Sequence, residues 1–165
     1  LLLLLLCLCF PLETSYSSLL DPYIQFSTAF YAAPLVTWTG FPIEIVNPQS
    51  AMLYGNDLIV HITPLCAGLQ TFTNILSIGI IASLFFLKSK YKQLVFCSLT
   101  LIVSFVMNTL RIAISTHAAN NLLGTTGNWE LAHEVIGYAS FAATYLFLFV
   151  LIKKLQTSPL FSTRI

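Results

Sequence analysis

The stretch Pro64-Leu65-Cys66-Ala67-Gly68-Leu69-Gln70 separates a polar, turn-rich segment from an uncharged run that is long enough to cross a membrane. This run is the first of three long apolar segments, which cover residues 67–87, 93–114 and 131–152. Each has about the ~20 residues that a membrane-spanning helix needs. The sequence therefore predicts three transmembrane helices, and it places the thiol of Cys66 at the start of the first.

The composition is typical of an integral membrane protein. Of 165 residues, 57% are hydrophobic and only 8% are charged, which leaves too little polar surface for a soluble globule of this size. The formal net charge of +1 gives no basis for nucleic-acid binding. The four cysteines show neither the paired spacing of a metal site nor a regular disulfide framework. We expect a single integral membrane domain over residues 1–165, with the lipid bilayer as a partner and with no cofactor or metal.

The first forty residues are less regular than the later apolar segments. Residues 1–10 are too short to cross a ~30 Å hydrocarbon core, so they are interpreted as the stub of a helix whose start is missing, in preference to the remains of a signal peptide. Residues 22–40 carry no charge but include several polar side chains and Pro34. They predict an interfacial or transmembrane helix, and we favour the interfacial placement, with a bend at the proline.

Residues 41–65 differ in character from the apolar segments around them. Two β-branched, roughly alternating runs, at 43–46 and 57–63, are separated by turn-forming residues. They predict a two-stranded ribbon, which must lie in water because unpaired strand edges are not tolerated in hydrocarbon. The expected fold class is therefore all-α: a polytopic transmembrane helical bundle with a small extracytoplasmic β-ribbon before the first complete span.

The lysines predict how the chain is oriented. They fill the loop after the first span and follow the last span, at Lys88, Lys90, Lys92, Lys153 and Lys154. With three spans, both clusters fall on one side, which the positive-inside rule makes cytoplasmic. The connection at residues 115–130 contains no Lys or Arg, so we expect it outside the cell. The predicted location is the inner (plasma) membrane, with multiple passes and with the outer helix ends facing the extracytoplasmic side.

This topology brings three chemically distinctive side chains to one depth. Cys66 lies at the outer start of the first span, Arg111 near the outer end of the second, and His133 at the outer start of the third. Each span also carries a polar or small-residue stripe at helical spacing: Cys66, Gln70, Asn74 and Ser77; Ser104, Asn108, Arg111 and Ser115; His133, Gly137, Ser140 and Thr144. Such stripes turn towards one another in lipid, because a charge exposed to acyl chains is costly. We therefore expect one shared cavity.

The three side chains suit nucleophilic catalysis. A cysteine in the first turn of a helix, with an arginine nearby, favours the reactive thiolate. A histidine can accept the thiol proton and return it to a leaving amine. The reaction that we predict is attack on a peptide carbonyl, which forms a thioester. The candidate catalytic residues are Cys66, Arg111 and His133, and the candidate supporting or substrate-binding residues are Asn108, Gln70, Asn74, Glu134, Gly68 and Gly137.

Two other interpretations are open on these residues alone. In the first, the chain is a non-catalytic membrane subunit whose polar stripes only pack helices. In the second, it is a small transporter or metal carrier that uses the same cavity. A metal carrier would need His61 or His117 beside Cys66 and His133, since zinc takes such ligands. No short ligand pair, such as two histidines four residues apart, supports a metal.

Three short motifs occur in the order Pro64-Leu65-Cys66-Ala67-Gly68-Leu69, Asn108-Thr109-Leu110-Arg111-Ile112 and His133-Glu134-Val135-Ile136-Gly137-Tyr138, the last followed by Phe141. Their order and intervals resemble those of the exosortase and archaeosortase family of membrane cysteine transpeptidases, over about residues 41–152. The resemblance implies that Cys66 is the nucleophile, that Arg111 and His133 are its catalytic partners, and that the chain is similar to bacterial members, which have His in the third motif. It also implies membrane-anchored protein substrates with a carboxy-terminal sorting signal: a short motif such as Pro-Glu-Pro, a membrane helix and a basic cluster. Full-length relatives usually have more amino-terminal spans than this chain.

Overall fold

Four α-helices and a three-stranded sheet lie within the part of the chain that the structure describes. The structure is a computed structural model, and it describes residues 17–47, 52–55, 58–63, 66, 69–122 and 129–157. The helices are α1 (Ser17–Trp38), α2 (Leu69–Phe86), α3 (Lys90–Leu122) and α4 (Trp129–Thr157), and the strands are β1 (Glu44–Asn47), β2 (Met52–Gly55) and β3 (Leu58–His61). The predicted helix stub at residues 1–10 lies outside the described residues.

Two helices in the described ranges are long and apolar enough to cross a membrane. They contain the stretches Lys90–Ala119 in α3 and Leu131–Thr157 in α4. The apolar part of α2, Gln70–Phe86, is shorter. The predicted first span at residues 67–87 starts at two positions that the structure does not describe.

Helix α3 is longer than the sequence predicts. The prediction ended it at residue 114 and assigned 115–130 to an outer loop, whereas the helix continues to Leu122. The loop prediction was wrong for residues 115–122, where Ser115 and Thr116 are buried and this packing favours a helix although hydropathy alone predicts a loop; residues 123–128 lie outside the described residues. Its 33 residues correspond to about 50 Å at ~1.5 Å per residue, so α3 is longer than a ~30 Å hydrocarbon core.

Helix α1 runs alongside α3 in the same direction. Tyr31 makes an edge-to-face contact with Phe105, and further along both helices Thr39 Oγ1 lies 3.1 Å from His117 Nδ1. The helix continues through Pro34. Its buried face is made mostly of small residues, which allow close approach of two backbones: Ala29, Ala32, Ala33 and Val36. The depth of α1 in a bilayer stays a prediction.

A tight turn after α1 leads the chain into the sheet. The backbone N–H of Thr39 donates to the carbonyl of Val36, and that of Gly40 donates to the carbonyl of Thr37, both at 3.0 Å. Gly40 has a φ of 95°, a left-handed conformation that a side chain disfavours. The turn therefore ends the helix and directs residues 41–43 back across it towards β1.

The sheet has three antiparallel strands in the order β1-β2-β3. The prediction of two strands was wrong in number, because Met52–Gly55 forms a strand between the two predicted runs. In the register, Ile45 pairs with Leu53 and Leu53 with Val60, while Glu44 pairs with Tyr54 and Tyr54 with Ile59. Ile45 and Val60 pack on the core between α1 and α3, whereas Glu44 and Ile59 are exposed. The extracytoplasmic position of the sheet stays a prediction.

Two apolar clusters hold the helices together at opposite ends. The first joins α1, the sheet and α3, and Cys66 packs against it: Ala29, Ala32, Ala33, Val36, Ile62, Ile112 and Ala113. The second joins the ends of α2, α3 and α4 that carry the lysines: Ile75, Leu87, Phe96, Leu148, Ile152 and Leu155. At this lysine end, Lys92 Nζ donates to the carbonyl of Leu155 at 2.7 Å and Gln156 Nε2 donates to that of Phe86 at 3.0 Å. These bonds satisfy carbonyls at helix C-termini.

Helices α2 and α3 approach closely at Gly79. A Cβ atom at this position would lie 2.9 Å from Cγ2 of Thr100, a fully buried side chain whose Oγ1 donates to the carbonyl of Phe96 at 2.8 Å. Because threonine is β-branched and this hydroxyl is bonded, the Thr100 side chain cannot rotate away freely. The two helices are therefore packed at a distance that only glycine permits.

We predict that Gly79→Ala destabilises the protein by about 1–3 kcal/mol, as overpacking of a tight core does. Thermal unfolding in detergent measures the effect. The double variant Gly79→Ala with Thr100→Ser, which lacks the clashing methyl group, should recover most of the loss, and Thr100→Ser alone serves as the control. Equal stability of Gly79→Ala and the unmodified chain would contradict this packing.

Candidate active site

A cleft of about 440 Å³ lies between the sheet, α3 and α4. Its walls come from β3 and the residues after it, from one turn of α3, and from the start of α4: Val60, His61, Ile62, Thr63, Cys66, Arg111, Ile112, Ser115, Thr116 and His133. Cys66, Arg111 and His133, which lie far apart in the sequence, thus meet in one cleft. Their roles in catalysis stay a prediction.

The position of Cys66 is defined by the turn that follows β3. Its backbone N–H donates to the carbonyl of Thr63 at 2.9 Å. The hydroxyl of Thr63 donates to the cysteine sulfur at 3.3 Å, and the half-buried side chain packs against the cluster that contains Ile62 and Ile112. A hydroxyl that donates to sulfur stabilises negative charge there. Sequence reasoning missed Thr63, although a hydroxyl residue three positions before a cysteine in a turn was a usable signal.

His133 lies in the first turns of α4 and faces the thiol. Its Nε2 atom is 3.7 Å from the sulfur of Cys66, and the imidazole is half-buried. The contact is at the long end for a hydrogen bond to sulfur, and such contacts commonly shorten when a substrate binds. The pair can therefore exchange a proton between Sγ and Nε2.

Arg111 is held against α4 by two contacts. Its guanidinium carbon lies 5.4 Å from the ring centre of Phe141, within the range of a cation–π interaction. A Cβ atom on Gly137 would lie 3.1 Å from Nη2 of the arginine, so the glycine leaves the space that the guanidinium occupies. These contacts enclose the charge in protein and direct it towards the cleft.

A second, much smaller cavity lies beneath Arg111, towards the lysine end. Its volume is about 10 Å³, close to the space that one water molecule needs. Six of its nine lining residues have polar side chains: Thr71, Ser104, Asn108, Arg111, Ser140 and Thr144, with Ile75, Met107 and Phe141. Asn108 is only 4% exposed, and its Nδ2 atom has no hydrogen-bond partner among the described residues. The buried amide thus lies one helical turn below the arginine and lines the same small cavity.

Two of the three predicted polar stripes meet as expected. Ser104, Asn108 and Arg111 of α3 line the small cavity together with Ser140 and Thr144 of α4.

The stripe predicted for the first span does not join them. Gln70 and Asn74 are exposed, and α2 instead presents Thr71 and Ile75 to the small cavity. The prediction of an inward stripe was therefore wrong for Gln70 and Asn74, whereas Cys66 lines the cleft. Helical spacing counted from Cys66 therefore does not give the face of α2 that turns inward.

The remaining predicted supporting residues are Gly137, Glu134 and Gly68. Gly137 contacts the guanidinium of Arg111, as described above. Glu134 is next to His133 in α4, and its side chain is exposed. Gly68 lies outside the described residues.

Of the four residues considered for a metal site, His117 lies apart from the other three. His61 lines the cleft with Cys66 and His133. His117 lies on α3, where it contacts Thr39 and packs edge-on against the ring of Phe41 at 4.8 Å. Among the residues that the structure describes, no group of three or more His, Cys, Asp or Glu side chains is arranged to hold a metal ion.

The fold and the cleft define a class of protein: a helical membrane protein with a thiol, an imidazole and a guanidinium at one end of its apolar helices. The chain matches the sequence model of the transmembrane exosortases over residues 1–150. It belongs to the transmembrane exosortase family, a family of membrane cysteine transpeptidases that act on proteins with sorting signals. The chain has no match among curated proteins or solved structures.

We predict that His133→Ala slows alkylation of Cys66 by iodoacetamide by roughly tenfold or more near neutral pH, because the thiol loses its proton acceptor. Peptide mapping by mass spectrometry follows this one cysteine and needs no substrate. His117→Ala, which removes an imidazole outside the cleft, is the matched control and should leave the rate nearly unchanged. Equal rates in the two variants would show that the 3.7 Å contact has no effect on the thiol.

We predict that Gly137→Ala lowers transpeptidase activity by about tenfold or more while stability is kept, since the new methyl group displaces the guanidinium of Arg111. Alanine is the better helix former by about 1 kcal/mol, so a loss of activity is not explained by unfolding. Processing of a substrate and thermal unfolding are measured on the same preparation. Ala139→Gly, at an exposed position of α4, is the control, and full activity of Gly137→Ala would contradict the role of this contact.

Proposed function

We propose that the protein is a membrane-embedded cysteine peptidase and transpeptidase that cleaves the carboxy-terminal sorting signal of membrane-anchored proteins. Cys66 is the nucleophile, His133 is the general base and then the general acid, and Arg111 stabilises the developing negative charge. The observation that carries this proposal is the 3.7 Å approach of Cys66 Sγ to His133 Nε2 in a cleft that Arg111 also lines. Membership of the transmembrane exosortase family supports the same chemistry.

The first half of the reaction forms a thioester. The Cys66 thiol gives its proton to Nε2 of His133, and the sulfur attacks the carbonyl carbon of the scissile peptide bond. The tetrahedral intermediate then expels the amine, which receives the proton from the imidazolium. The new bond joins sulfur to the acyl group of the substrate, and the bond that breaks releases the membrane helix of the signal with a new amino terminus.

The second half resolves the thioester. A water molecule or an amine or hydroxyl acceptor attacks the acyl carbon, and His133 takes the proton of this nucleophile before returning one to the leaving thiolate. Water yields hydrolysis, and the other nucleophiles yield transfer. The acyl-enzyme bond thus makes both outcomes available from one site.

Arg111 and Thr63 provide for the negative charges in this cycle. The guanidinium is always charged and presents several N–H groups, so it suits the oxyanion of the tetrahedral intermediate. The Thr63 hydroxyl, which donates to sulfur at 3.3 Å, stabilises the thiolate before attack and after release. Neither interaction needs a cofactor.

The site faces the extracytoplasmic side in this proposal. The Lys92 bond to the carbonyl of Leu155 belongs to the end opposite the cleft, where the lysines of α3 and α4 gather. The positive-inside rule assigns such an end to the cytoplasm. A substrate anchored in the same membrane then presents its scissile bond at a constrained depth and diffuses in two dimensions only. These features favour an anchored protein over a free peptide.

We predict that Cys66→Ala abolishes processing and that unprocessed membrane-anchored proteins with a carboxy-terminal signal accumulate in cells. Intact-mass spectrometry of these proteins detects the uncleaved signal. Cys66→Ser should give the same loss or a trapped ester, since the alcohol is a weaker nucleophile than the thiol.

Cys97→Ala is the matched control for this experiment. Cys97 is a buried cysteine that packs with Ile80 at the interface of α2 and α3, so its replacement should leave processing intact. Normal processing by the Cys66→Ala variant would overturn the proposed mechanism and would support a non-catalytic membrane subunit.

A further inference from the structure

The strand β3 lies at one edge of the sheet, on the side of the cleft. It pairs with β2 along one edge, and the residues that the structure describes offer no strand to its other edge. The backbone groups on such an edge are a template for another extended chain. The opposite edge of the sheet, β1, faces α1 and is remote from the thiol in the sheet order.

The chain continues from β3 directly into the catalytic cleft. Val60 and His61 at the end of the strand line the same cleft as Cys66. The next two residues lead to the turn in which the Cys66 N–H bonds to the carbonyl of Thr63 at 2.9 Å. Because a strand advances by ~3.3 Å per residue, a peptide paired with β3 reaches the thiol within a few residues of the pairing.

The side chains of β3 alternate between the core and the exposed face of the sheet. Ile62, just after the strand, is only 1% exposed, and Val60 packs on the core. Ile59 alternates with them and is 62% exposed, and His61 is exposed as well. A strand added beside β3 would therefore place its own side chains next to Ile59 on the exposed face, without disturbing the core.

The charges of the cleft indicate what kind of segment fits. Among the described residues that line it, Arg111 is a cation, His61 and His133 are imidazoles that can donate hydrogen bonds, and none is a carboxylate. An extended segment with an acidic side chain is complementary to this set, and one with lysines is not.

We propose that the free edge of β3 binds the acidic, extended segment of the substrate as an added strand and so directs the scissile peptide to Cys66. This inference rests on the proposed function and adds to it how the substrate is held. Main-chain hydrogen bonds to β3 supply affinity, and alternate side chains supply selectivity. Removal of one backbone N–H of the substrate that bonds to β3 should then weaken substrate binding even when every side chain is unchanged.

The test uses the full chain with Cys66→Ala in lipid nanodiscs, so that binding is measured without cleavage. The probe is a synthetic peptide with a Pro-Glu-Pro segment, an apolar helix and a basic cluster. A photo-cross-linking residue, p-benzoylphenylalanine, replaces Ile59 on β3 or, as the matched control, Glu44 on β1. Both positions are exposed and pair with the same residue of β2, Tyr54, but they lie at opposite edges of the sheet.

We expect cross-links to the probe at position 59 to exceed those at position 44 by at least about tenfold, the margin of a few main-chain bonds at ~1 kcal/mol each. A probe whose Glu is N-methylated should lose most of the cross-link at 59. The two prolines of the Pro-Glu-Pro segment have no backbone N–H group, so the N–H of the Glu is the donor in this segment that can bond to β3. Equal cross-linking at both positions, none at 59, or no effect of N-methylation would overturn the inference.

A parallel measurement separates this inference from the proposed function. The wild-type chain is incubated with the unmodified probe, and cleavage is followed by mass spectrometry. Cleavage without the cross-link at 59 would overturn strand addition and leave the cysteine mechanism standing. The cross-link without cleavage would support strand addition and count against the mechanism.

Discussion

The structure depends on enclosing one charged side chain in an apolar helical bundle. A guanidinium exposed to acyl chains is costly, so Arg111 must be covered by protein or reach water. Helix α4 covers it with the ring of Phe141 and with the backbone beside Gly137, and Asn108 lies one turn below. The guanidinium also lines the cleft, where it can reach water, and the thiol and the imidazole lie in the same cleft.

The cysteine is positioned by a different set of contacts, which come from the sheet. Its turn bonds to Thr63, and its side chain packs on the apolar cluster shared by α1, α3 and the sheet, which includes Ile62 and Ile112. The position of Cys66 therefore depends on the residues that follow β3 and on this cluster, whereas Arg111 lies on α3 and His133 on α4. In the proposed mechanism, the packing of the sheet against α1 and α3 therefore sets the distance from the sulfur to the imidazole.

Much of the site was predictable because depth in a membrane is a one-dimensional quantity. Span lengths and lysine positions place Cys66, Arg111 and His133 at one level, and the structure places all three in one cleft. The stripes of α3 and α4 were predictable for a similar reason, since each lies within one unbroken helix. Their catalytic roles, and the side of the membrane that they face, stay predictions.

The sequence by itself determined the membrane character, the family and the three residues that share one cleft, since these follow from composition, motif order and span length. Only the tertiary structure decided the inward face of α2, the third strand, the length of α3 and the contact of Thr63 with the thiol. The physical reason is that these features depend on where a helix begins and on what buries it. Gln70 and Asn74 are exposed although their spacing from Cys66 is helical, and the buried side chain of Thr116 lies in a helix where local hydropathy predicts a loop.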